Sequence, residues 1–519
     1  MIPISLPSPG RKLCVVLAAS LLLAGCVSAA APTATTQPSA QAATADAETT
    51  SEPVVTSTPL PTRPLYDAGT LVDYTAQNGD NLIALAARFN TTIREIRAAN
   101  PIIPDTATTL PAGFPMRIPI YYRAYWGSQY QILPDSLFIN GPAQIDFDTQ
   151  AFVDSQPGWL RNYREYAAGQ RRTGAGLVDL VAQNFSVSPR LLLALLEHQS
   201  GALTQPVLDD AIGPYVMGYE HPFHRGVYLQ LVWAANTLNN GYYLWRNGNL
   251  IEFDRPDGTI YRPDPWQNAA SVSLQMFFNA NEPMANFNAS IGPEGFARTY
   301  ATLFGDPWQA DVAHIPGSLL QPELRLPMPP GELWSHTGGP HTGWGTGRPW
   351  AALDFAPGSE TQGCFNSTSW ATAMADGLVV RTDVGTVVLD LDQDGDERTG
   401  WVLFYLHLAE TGRVQAGQRV LAGWPLGHPS CEGGSSTGTH VHIARKYNGE
   451  WVEAAGALPF TMEGWTPVEG NLAYSGTLER LGHIIRASTF SDAASSIISR
   501  APVVSFPTPE IIPTEESED

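Results

Sequence analysis

The spacing of apolar residues divides the chain into three regions with different predicted secondary structure. Between residues 70 and 121, an alternating stretch, two stretches with helical spacing and a last alternating stretch predict the order strand, helix, helix, strand. From 125 to 315, helical spacing recurs over long stretches such as Gly176–Phe185 and Val227–Tyr242. From 320 to 490, valine- and leucine-rich stretches alternate with Gly and Pro turns, which predicts an antiparallel all-β region.

The two ends of the chain lack these patterns. A basic pair precedes the apolar stretch Leu13–Leu23, which is too short to span a bilayer, so we expect residues 1–25 to be a signal peptide. Residues 26–69 are rich in Ala, Thr and Pro and predict an unfolded linker. Residues 491–519 form an acidic, Pro-rich tail. The mature chain is therefore expected to be exported.

The predicted signal peptide ends in Leu23-Ala24-Gly25-Cys26, which resembles a bacterial lipobox. The resemblance implies that Cys26 becomes the lipidated first residue, so that a lipid anchor holds the protein at the cell surface or envelope. The open alternative is an ordinary secretory signal with an incidental cysteine. No other apolar stretch approaches 18 residues, so we expect no transmembrane helix.

Length and charge narrow the class of protein. A chain of 519 residues suggests roughly three domains, and 43% hydrophobic residues are enough to form real cores. The net charge of −21, from 29 basic and 50 acidic residues, argues against a nucleic-acid partner, because such proteins need a basic face. The charge gives no positive indication of a substrate.

The first region resembles the LysM module in four places. These are Tyr74-Thr75, Gly79-Asp80-Asn81-Leu82, the Asn100-Pro101 stop and the Leu110-Pro111-Ala112-Gly113 approach to the last strand. The resemblance implies binding to N-acetylglucosamine-containing glycans such as peptidoglycan, through two loops. The implied glycan contacts are Gly79, Asp80, Asn81, Leu82, Asn100, Pro101 and Ile102. The alternative is a small βααβ spacer.

In the middle region, the segment from Ser188 to Gly201 resembles the catalytic helix of lysozyme-like lytic transglycosylases. In that family a Glu directly precedes the Ser and acts as the general acid, whereas here Gln199 stands in that place and has no acidic proton to donate. Glu197 lies two residues earlier and faces elsewhere on a helix. We interpret residues 125–315 as a mainly α, lysozyme-like domain that has lost its acid, and whether it binds glycan is left open. An active variant using Glu197 and an unrelated helical bundle remain open.

The strongest chemical signal lies in the third region. In His440-Val441-His442, the two imidazoles would share one face of a strand. Upstream stand His341-Thr342-Gly343-Trp344-Gly345, Leu353-Asp354 and Tyr405-Leu406-His407-Leu408. Together, in this order, these elements resemble the beta-lytic type of the lysostaphin-like zinc endopeptidases. The resemblance implies an all-β antiparallel zinc peptidase domain at 320–490.

The resemblance also implies a role for each residue. His341, Asp354 and His442 match the three zinc ligands, His440 matches the general base, and His407 matches a second histidine that orients water or stabilises the oxyanion. The commoner lysostaphin pattern has its first ligand four residues before the Asp, where this chain has Trp350. The longer beta-lytic spacing fits His341, and His336 remains an alternative ligand.

Two further features of this region carry predictions. Cys364 and Cys431 are expected to form a disulfide in an exported protein, with thiolate ligation of the metal as the alternative. A second metal is suggested by the spacing of Asp390, Asp392 and Asp394, which is that of the start of a calcium loop. The twelfth position is Trp401 rather than Glu, so a complete EF-hand is excluded, and both a calcium site and a metal-free hairpin tip remain open.

The leading functional hypothesis is a cell-surface zinc endopeptidase that hydrolyses peptide bonds in peptidoglycan stem peptides or cross-bridges and is directed to the wall by LysM. One alternative is a non-catalytic peptidoglycan-binding or regulatory lipoprotein. The other is a glycan-cleaving enzyme acting through the middle domain, against which Gln199 argues.

Overall fold

The computed structural model describes residues 63–124, 126–282, 284–358 and 362–502. The predicted signal peptide, the predicted lipidation site Cys26, most of the linker and the end of the tail lie outside the described residues. Within the described ranges, no helix is both long and apolar enough to cross a membrane.

The first module has the predicted order of elements. These are β1 (Thr70–Thr75), α1 (Leu82–Arg88), α2 (Ile93–Ala99) and β2 (Pro115–Ile120). The two strands pair antiparallel, and both helices begin at a side chain that caps a free backbone N–H. Asn81 accepts from Ala84, and Thr92 forms a capping box with Glu95. The helices pack Leu85, Phe89 and Ile96 into one small core.

The middle module is mainly helical. Its helices are α3 (Asp135–Phe138), α4 (Thr149–Ser155), α5 (Gly174–Phe185), α6 (Pro189–Ser200), α7 (Val227–Arg246), α8 (Ala269–Asn281), α9 (Met284–Ser290) and α10 (Phe296–Phe304). Two hairpins interrupt them, β3 (Arg164–Ala167) with β4 (Gln170–Thr173) and β5 (Phe253–Asp254) with β6 (Ile260–Tyr261). Ser188 caps α6, Pro189 opens it, and Gly201 ends it in a left-handed conformation.

The third module is built on an antiparallel sheet. Its strands are β7 (Leu333–His341), β8 (Ala352–Pro357), β9 (Ala371–Thr372), β10 (Gly377–Asp383), β11 (Thr386–Asp390), β12 (Trp401–Leu406), β13 (Arg419–Val420), β14 (Pro425–Gly427), β15 (Val441–Tyr447), β16 (Glu450–Trp451), β17 (Thr466–Glu469), β18 (Gly476–Arg480), β19 (His483–Arg486) and β20 (Ser496–Ile498). The main sheet runs β13-β10-β11-β12-β15-β8-β7-β20, and β16 pairs with β15. Strands β9 and β14 pair separately, as do β17, β18 and β19.

The two faces of this sheet lie in different cores. On β15, Val441 and Ile443 point into the peptidase module's own core. Ala444 points the other way and, with Phe404 of β12, belongs to the same buried cluster as the helices of the middle module. His442, which alternates with Val441 and Ile443, therefore lies on the face of the sheet that the helical module covers.

Candidate metal centre

Three of the predicted ligands converge on neighbouring strands. His341 ends β7, Asp354 lies in β8, and His442 lies in β15 directly opposite Asp354 in the ladder. His341 Nε2 is 3.0 Å from His442 Nδ1, and each of these nitrogens is 3.3 Å from Asp354 Oδ1. All three residues are buried, and their candidate ligand atoms lie within 4.8 Å of one another.

The second nitrogen of each imidazole is held by a backbone carbonyl. His341 Nδ1 donates to Gly339 O at 2.8 Å, and His442 Nε2 donates to Gly343 O at 3.1 Å. Because a carbonyl can only accept, these bonds fix the tautomers, and the lone pairs of the opposite nitrogens point into the cluster. The two rings are therefore oriented as metal ligands by the backbone around them.

The donor set fits a zinc ion. Asp354 Oδ1 is buried and has no hydrogen-bond partner among the described residues, although three imidazole nitrogens lie 3.3 to 3.6 Å from it. Burial alone would raise the pKa of Asp354, but His341 and His440 outweigh it and hold this pKa well below its usual range. Burial lowers the pKa of His442, which favours the neutral ring. One carboxylate with two neutral imidazoles is a usual set of protein ligands for zinc.

The two predicted catalytic histidines flank this cluster. His440 precedes β15, its Nε2 is 3.6 Å from Asp354 Oδ1, and its Nδ1 donates to Gly438 O at 2.8 Å. His407 follows β12 with a φ of 67° and donates through Nδ1 to Glu432 O at 2.8 Å. The ring centres of His407 and His440 are 4.5 Å apart. Burial, with His440 and His442 nearby, lowers the pKa of His407 to about 4.

The alternative ligand His336 lies outside the cluster. Its side chain is fully buried, its ring is 5.3 Å from that of Phe355, and its Nδ1 is 3.3 Å from the backbone oxygen of Asp354, not from the carboxylate. The ladder between β7 and β8 has register shifts between His336 and Gly338 and again before His341. These shifts place His341, and not His336, beside the carboxylate.

Two residues of this site were not found from the sequence. Tyr474 stacks on the His341 ring with centroids 4.1 Å apart, and Gly338 lies so close to the Asp354 carboxylate that a Cβ there would overlap Oδ2. The Tyr474 contact joins segments far apart in the chain, so local spacing contains no signal for it. The Gly-Gly before His341 is visible in the sequence and marks a close backbone approach.

The predicted disulfide between Cys364 and Cys431 is present, so the thiolate alternative does not apply. Next to it, the Thr439 backbone N–H donates to Gly363 O at 3.0 Å, and the Thr439 hydroxyl donates to Phe365 O at 2.6 Å. The loop that carries Cys364 is thereby tied to the residue directly before His440. The disulfide and these bonds together brace the entry to β15.

The predicted glycan contacts of the first module fall into three groups. The Asp80 carboxylate accepts from Tyr74 and Arg88 inside the module, Leu82 is buried, and the Asn100 side chain bonds to the backbone of residues 96 and 117. Gly79 and Asn81 face the end of α7, and Pro101 and Ile102 are exposed. Glycan binding by these residues stays a prediction, with Asp80, Leu82 and Asn100 in mainly structural positions.

The end of α6 does not offer an obvious catalytic acid. Glu197 accepts from the backbone N–H groups of Leu203 and Thr204 and from the Thr204 hydroxyl, so it stabilises the turn after the helix. Gln199 donates to Glu282 at 3.3 Å. Glu197 and Gln199 thus have different partners, as their spacing on a helix predicts.

The acidic loop connects β11 to β12, as predicted for a hairpin tip. Asp390 is buried and its carboxylate accepts from the backbone N–H groups of Asp392, Gln393 and Gly395. Asp392 and Asp394 are exposed, and one oxygen from each of the three carboxylates lies within 4.8 Å of the others. Burial and the neighbouring Asp392 raise the pKa of Asp390 to about 6.

Comparison with known proteins matches two family models and several relatives. Residues 74–119 match the LysM domain, and residues 131–317 match the model described as LasA, N-terminal domain. Protease LasA of Pseudomonas aeruginosa is 27% identical over 348 residues, which is 63% of this chain and 76% of that protein. The beta-lytic metalloendopeptidase of Lysobacter enzymogenes is 31% identical over 140 residues, which is 26% of this chain and 74% of that protein. The chain belongs to the beta-lytic metalloendopeptidase family.

The sequence resemblance to the beta-lytic type is thereby confirmed. The beta-lytic metalloendopeptidases are zinc peptidases, so zinc is the implied metal. Another beta-lytic metalloendopeptidase, from Achromobacter lyticus, is 31% identical over 160 residues, 29% of this chain and 39% of that protein. Two solved structures are also similar. The M23 metalloprotease pseudoalterin from the deep sea has 27% identity and a TM-score of 0.28, covering 32% of this chain and 96% of its own. The catalytic domain of lysostaphin from Staphylococcus simulans has 21% identity and a TM-score of 0.17, covering 23% and 87%.

The comparison also changes the description of the middle module. Residues predicted as a lysozyme-like domain at 125–315 match the N-terminal domain of LasA over 131–317. The helical character is confirmed, whereas the link to lysozyme-like enzymes stays a prediction. In this beta-lytic family member, the helical module precedes the peptidase module and shares a buried core with it.

Proposed function

We propose that this chain is a cell-wall endopeptidase that hydrolyses peptide bonds in the stem peptides or cross-bridges of peptidoglycan, with zinc held by His341, Asp354 and His442. The observation that carries the proposal is the convergence of these three side chains around a buried carboxylate oxygen for which the described part of the chain offers no hydrogen-bond donor. Such an arrangement is costly unless a cation satisfies it.

His440 is the proposed general base. Its Nδ1–H is occupied by Gly438 O, so its Nε2 carries the lone pair and faces Asp354 Oδ1 at 3.6 Å. Zinc in the site would supply Lewis-acid chemistry, polarising the scissile carbonyl and promoting ionisation of the attacking water. His440 Nε2 accepts the proton of that water and passes it to the leaving amine.

His407 is proposed to orient the attacking water. Its Nδ1–H donates to Glu432 O, so in the neutral ring Nε2 is an acceptor. An acceptor can hold a water proton but cannot donate to an oxyanion. Of the two roles that the resemblance leaves open, this tautomer favours the orientation of water over oxyanion stabilisation.

Wall association is proposed to come from the LysM module, whose family implies peptidoglycan binding. We also propose that Cys26 is lipidated after export and that the Ala-, Thr- and Pro-rich segment 26–69 acts as a linker that carries the folded modules away from the membrane. A zinc peptidase held in this way acts at the cell surface. The LasA-like middle module gives no independent support for glycan cleavage, because Gln199 stands where the acid is needed.

The test uses the exported chain with purified peptidoglycan, and it measures the appearance of free amino groups with and without a zinc chelator. We expect new amines from the zinc-loaded wild type, none after chelation and none from Asp354→Ala. Asp376→Ala, which changes a carboxylate outside the metal cluster, is the matched control and should keep its activity. Amines that persist in Asp354→Ala, or their absence from the zinc-loaded wild type, contradict the proposal.

We propose separately that Asp390, Asp392 and Asp394 bind a calcium ion, and the proximity of their three carboxylates supports this. Equilibrium dialysis with calcium should give one bound ion in the wild type and none in Asp392→Asn. Equal calcium binding by the two proteins would contradict it.

A further inference from the structure

One loop is connected to every proposed zinc ligand, to two of them through the chain and to the third through a hydrogen bond. Residues 342–350 run from His341 at the end of β7 to the strand that carries Asp354, so the loop connects two ligands directly. The same loop carries Gly343, whose carbonyl accepts from His442 Nε2 at 3.1 Å and thereby fixes the third ligand. The position of this loop therefore bears on the geometry of all three side chains.

Two asparagines of the helical module hold the loop. Asn236 and Asn240 lie four residues apart on α7 and so share one face of it. Asn236 Oδ1 accepts from the backbone N–H of Thr346 at 2.8 Å, and Asn240 Oδ1 accepts from that of Arg348 at 2.7 Å. The two asparagines on the helix thus bind the backbone N–H groups of two loop residues that are separated by a single residue.

The two amide groups are fixed on their own helix. Asn236 Nδ2 donates to Val232 O at 3.0 Å, and Asn240 Nδ2 donates to Asn236 O at 2.9 Å. Each of these bonds to the preceding turn uses one of the two N–H donors of the amide and fixes its orientation, so each Oδ1 is presented to the loop as an acceptor. The helix therefore offers two rigidly placed acceptors at the spacing of the loop.

The loop sequence is adapted to this approach. Gly345 and Gly347 directly precede the two bonded N–H groups and have φ values of 81° and 85°. A Cβ at Gly345 would overlap Asn236 Oδ1, and a Cβ at Gly347 would overlap Asn240 Oδ1. The repeated glycines are required both by the backbone conformation and by the contact with the asparagines.

The contact reaches the metal centre through the loop itself. Gly343 N donates to Pro349 O at 3.0 Å, so the two ends of the loop are joined. The Arg348 side chain bonds to Glu453 and Glu469 of the peptidase module. A short chain of bonds thus leads from α7 through the loop to Gly343 and His442.

We propose that Asn236 and Asn240 are positioning residues of the metal centre, so that the helical module sets the zinc affinity of the peptidase module. The inference rests on the proposed zinc site. It makes the helical module part of the working enzyme and not only a neighbour of the catalytic module. Partners that orient a ligand in this way alter metal affinity when they are removed.

The test measures the zinc dissociation constant of the full chain by competition with a chromophoric chelator. We expect the double variant Asn236→Ala/Asn240→Ala to bind zinc about tenfold more weakly. Asn240→Ala alone should also weaken zinc binding, because it removes the acceptor of the Arg348 N–H. Thr237→Ala is the matched control, because its hydroxyl donates to Trp233 O within α7 and to no other residue in the described ranges.

The outcomes separate a failure of the proposed zinc site from a failure of the inference about Asn236 and Asn240. A wild-type chain that binds no zinc refutes the zinc site and the inference with it. A wild type that binds zinc, with a double variant of unchanged affinity and unchanged circular dichroism, refutes the inference alone. Equal weakening by Thr237→Ala would also refute it, because the effect would then come from general loosening of α7.

Discussion

The junction between the helical and peptidase modules contains a buried carboxylate whose loss should be measurable. Glu450 of β16 accepts from Arg246 of α7 through both oxygens, at 3.0 and 2.9 Å. The same carboxylate accepts from Tyr242 at 2.9 Å and lies 2.8 Å from His314 Nε2. The side chain of Glu450 is 10% exposed, so solvent screens these interactions little.

The contribution of Glu450 to the free energy of unfolding follows from its pKa. Burial alone would raise the pKa of Glu450, but Arg246 and His314 lower it from 4.5 to about 2. Such a shift corresponds to about 3 kcal/mol, similar to the known cost of breaking a buried ion pair. Because the folded-state pKa is depressed, this stability is fully present above pH 4.5 and is lost as the pH falls towards about 2.

The perturbation is Glu450→Gln, and the assay is urea-induced unfolding followed by tryptophan fluorescence at several pH values. We expect the variant to be less stable than the wild type by about 3 kcal/mol at pH 7, with the difference shrinking between pH 4.5 and 2. The exposed Glu323 provides the control Glu323→Gln, for which no difference is expected. Coinciding curves for the variant and the wild type at pH 7, or a difference that does not change with pH, would refute this reasoning.

Three further predictions concern the catalytic site and its supports. His440→Ala should lower kcat by about 10² to 10⁴ while metal analysis still finds one zinc per chain, and loss of the zinc would contradict its role as a base. Gly338→Ala should weaken zinc binding in chelator competition because its Cβ overlaps Asp354 Oδ2, unlike Gly292→Ala, where the nearest atoms are 3.4 Å away. Cys364→Ser/Cys431→Ser should lose about 4 kcal/mol of stability in urea, since the disulfide closes a 67-residue separation, and unchanged unfolding would contradict this.

The chemistry of the metal centre could be predicted from the sequence because its signals are local. The two-residue period of a strand places His440 and His442 on one side, and the resemblance to the beta-lytic type implies that Asp354 lies on another strand as a ligand. That His442 pairs with Asp354 across β15 and β8 becomes visible only in the fold. The same is true of the choice of His341 over His336, which depends on register shifts in β7.

Contacts between modules could not be predicted in this way. The loop with Gly79 and Asn81 has the local pattern of an exposed binding loop, yet Asn81 donates to Arg246 O at 3.0 Å and a Cβ at Gly79 would lie 2.5 Å from the Arg246 guanidinium. Asn236 and Asn240 look like ordinary polar positions on an amphipathic helix. Their role becomes visible only in the fold, where they accept hydrogen bonds from a glycine-rich loop that lies over 100 residues further along the chain.

The Arg246–Glu450 pair has a consequence for the order of events during synthesis. The two residues are 204 positions apart, and Arg246 also meets the LysM module, so this junction cannot close until synthesis has reached Glu450, in a chain of 519 residues. Until then Arg246 has no Glu450 to neutralise it, and the helical surface that the sheet later covers stays open to water. A chaperone that shields this surface during that interval would protect the nascent chain from aggregation. A chain truncated before Glu450 could never cover the surface and would depend on such a chaperone permanently.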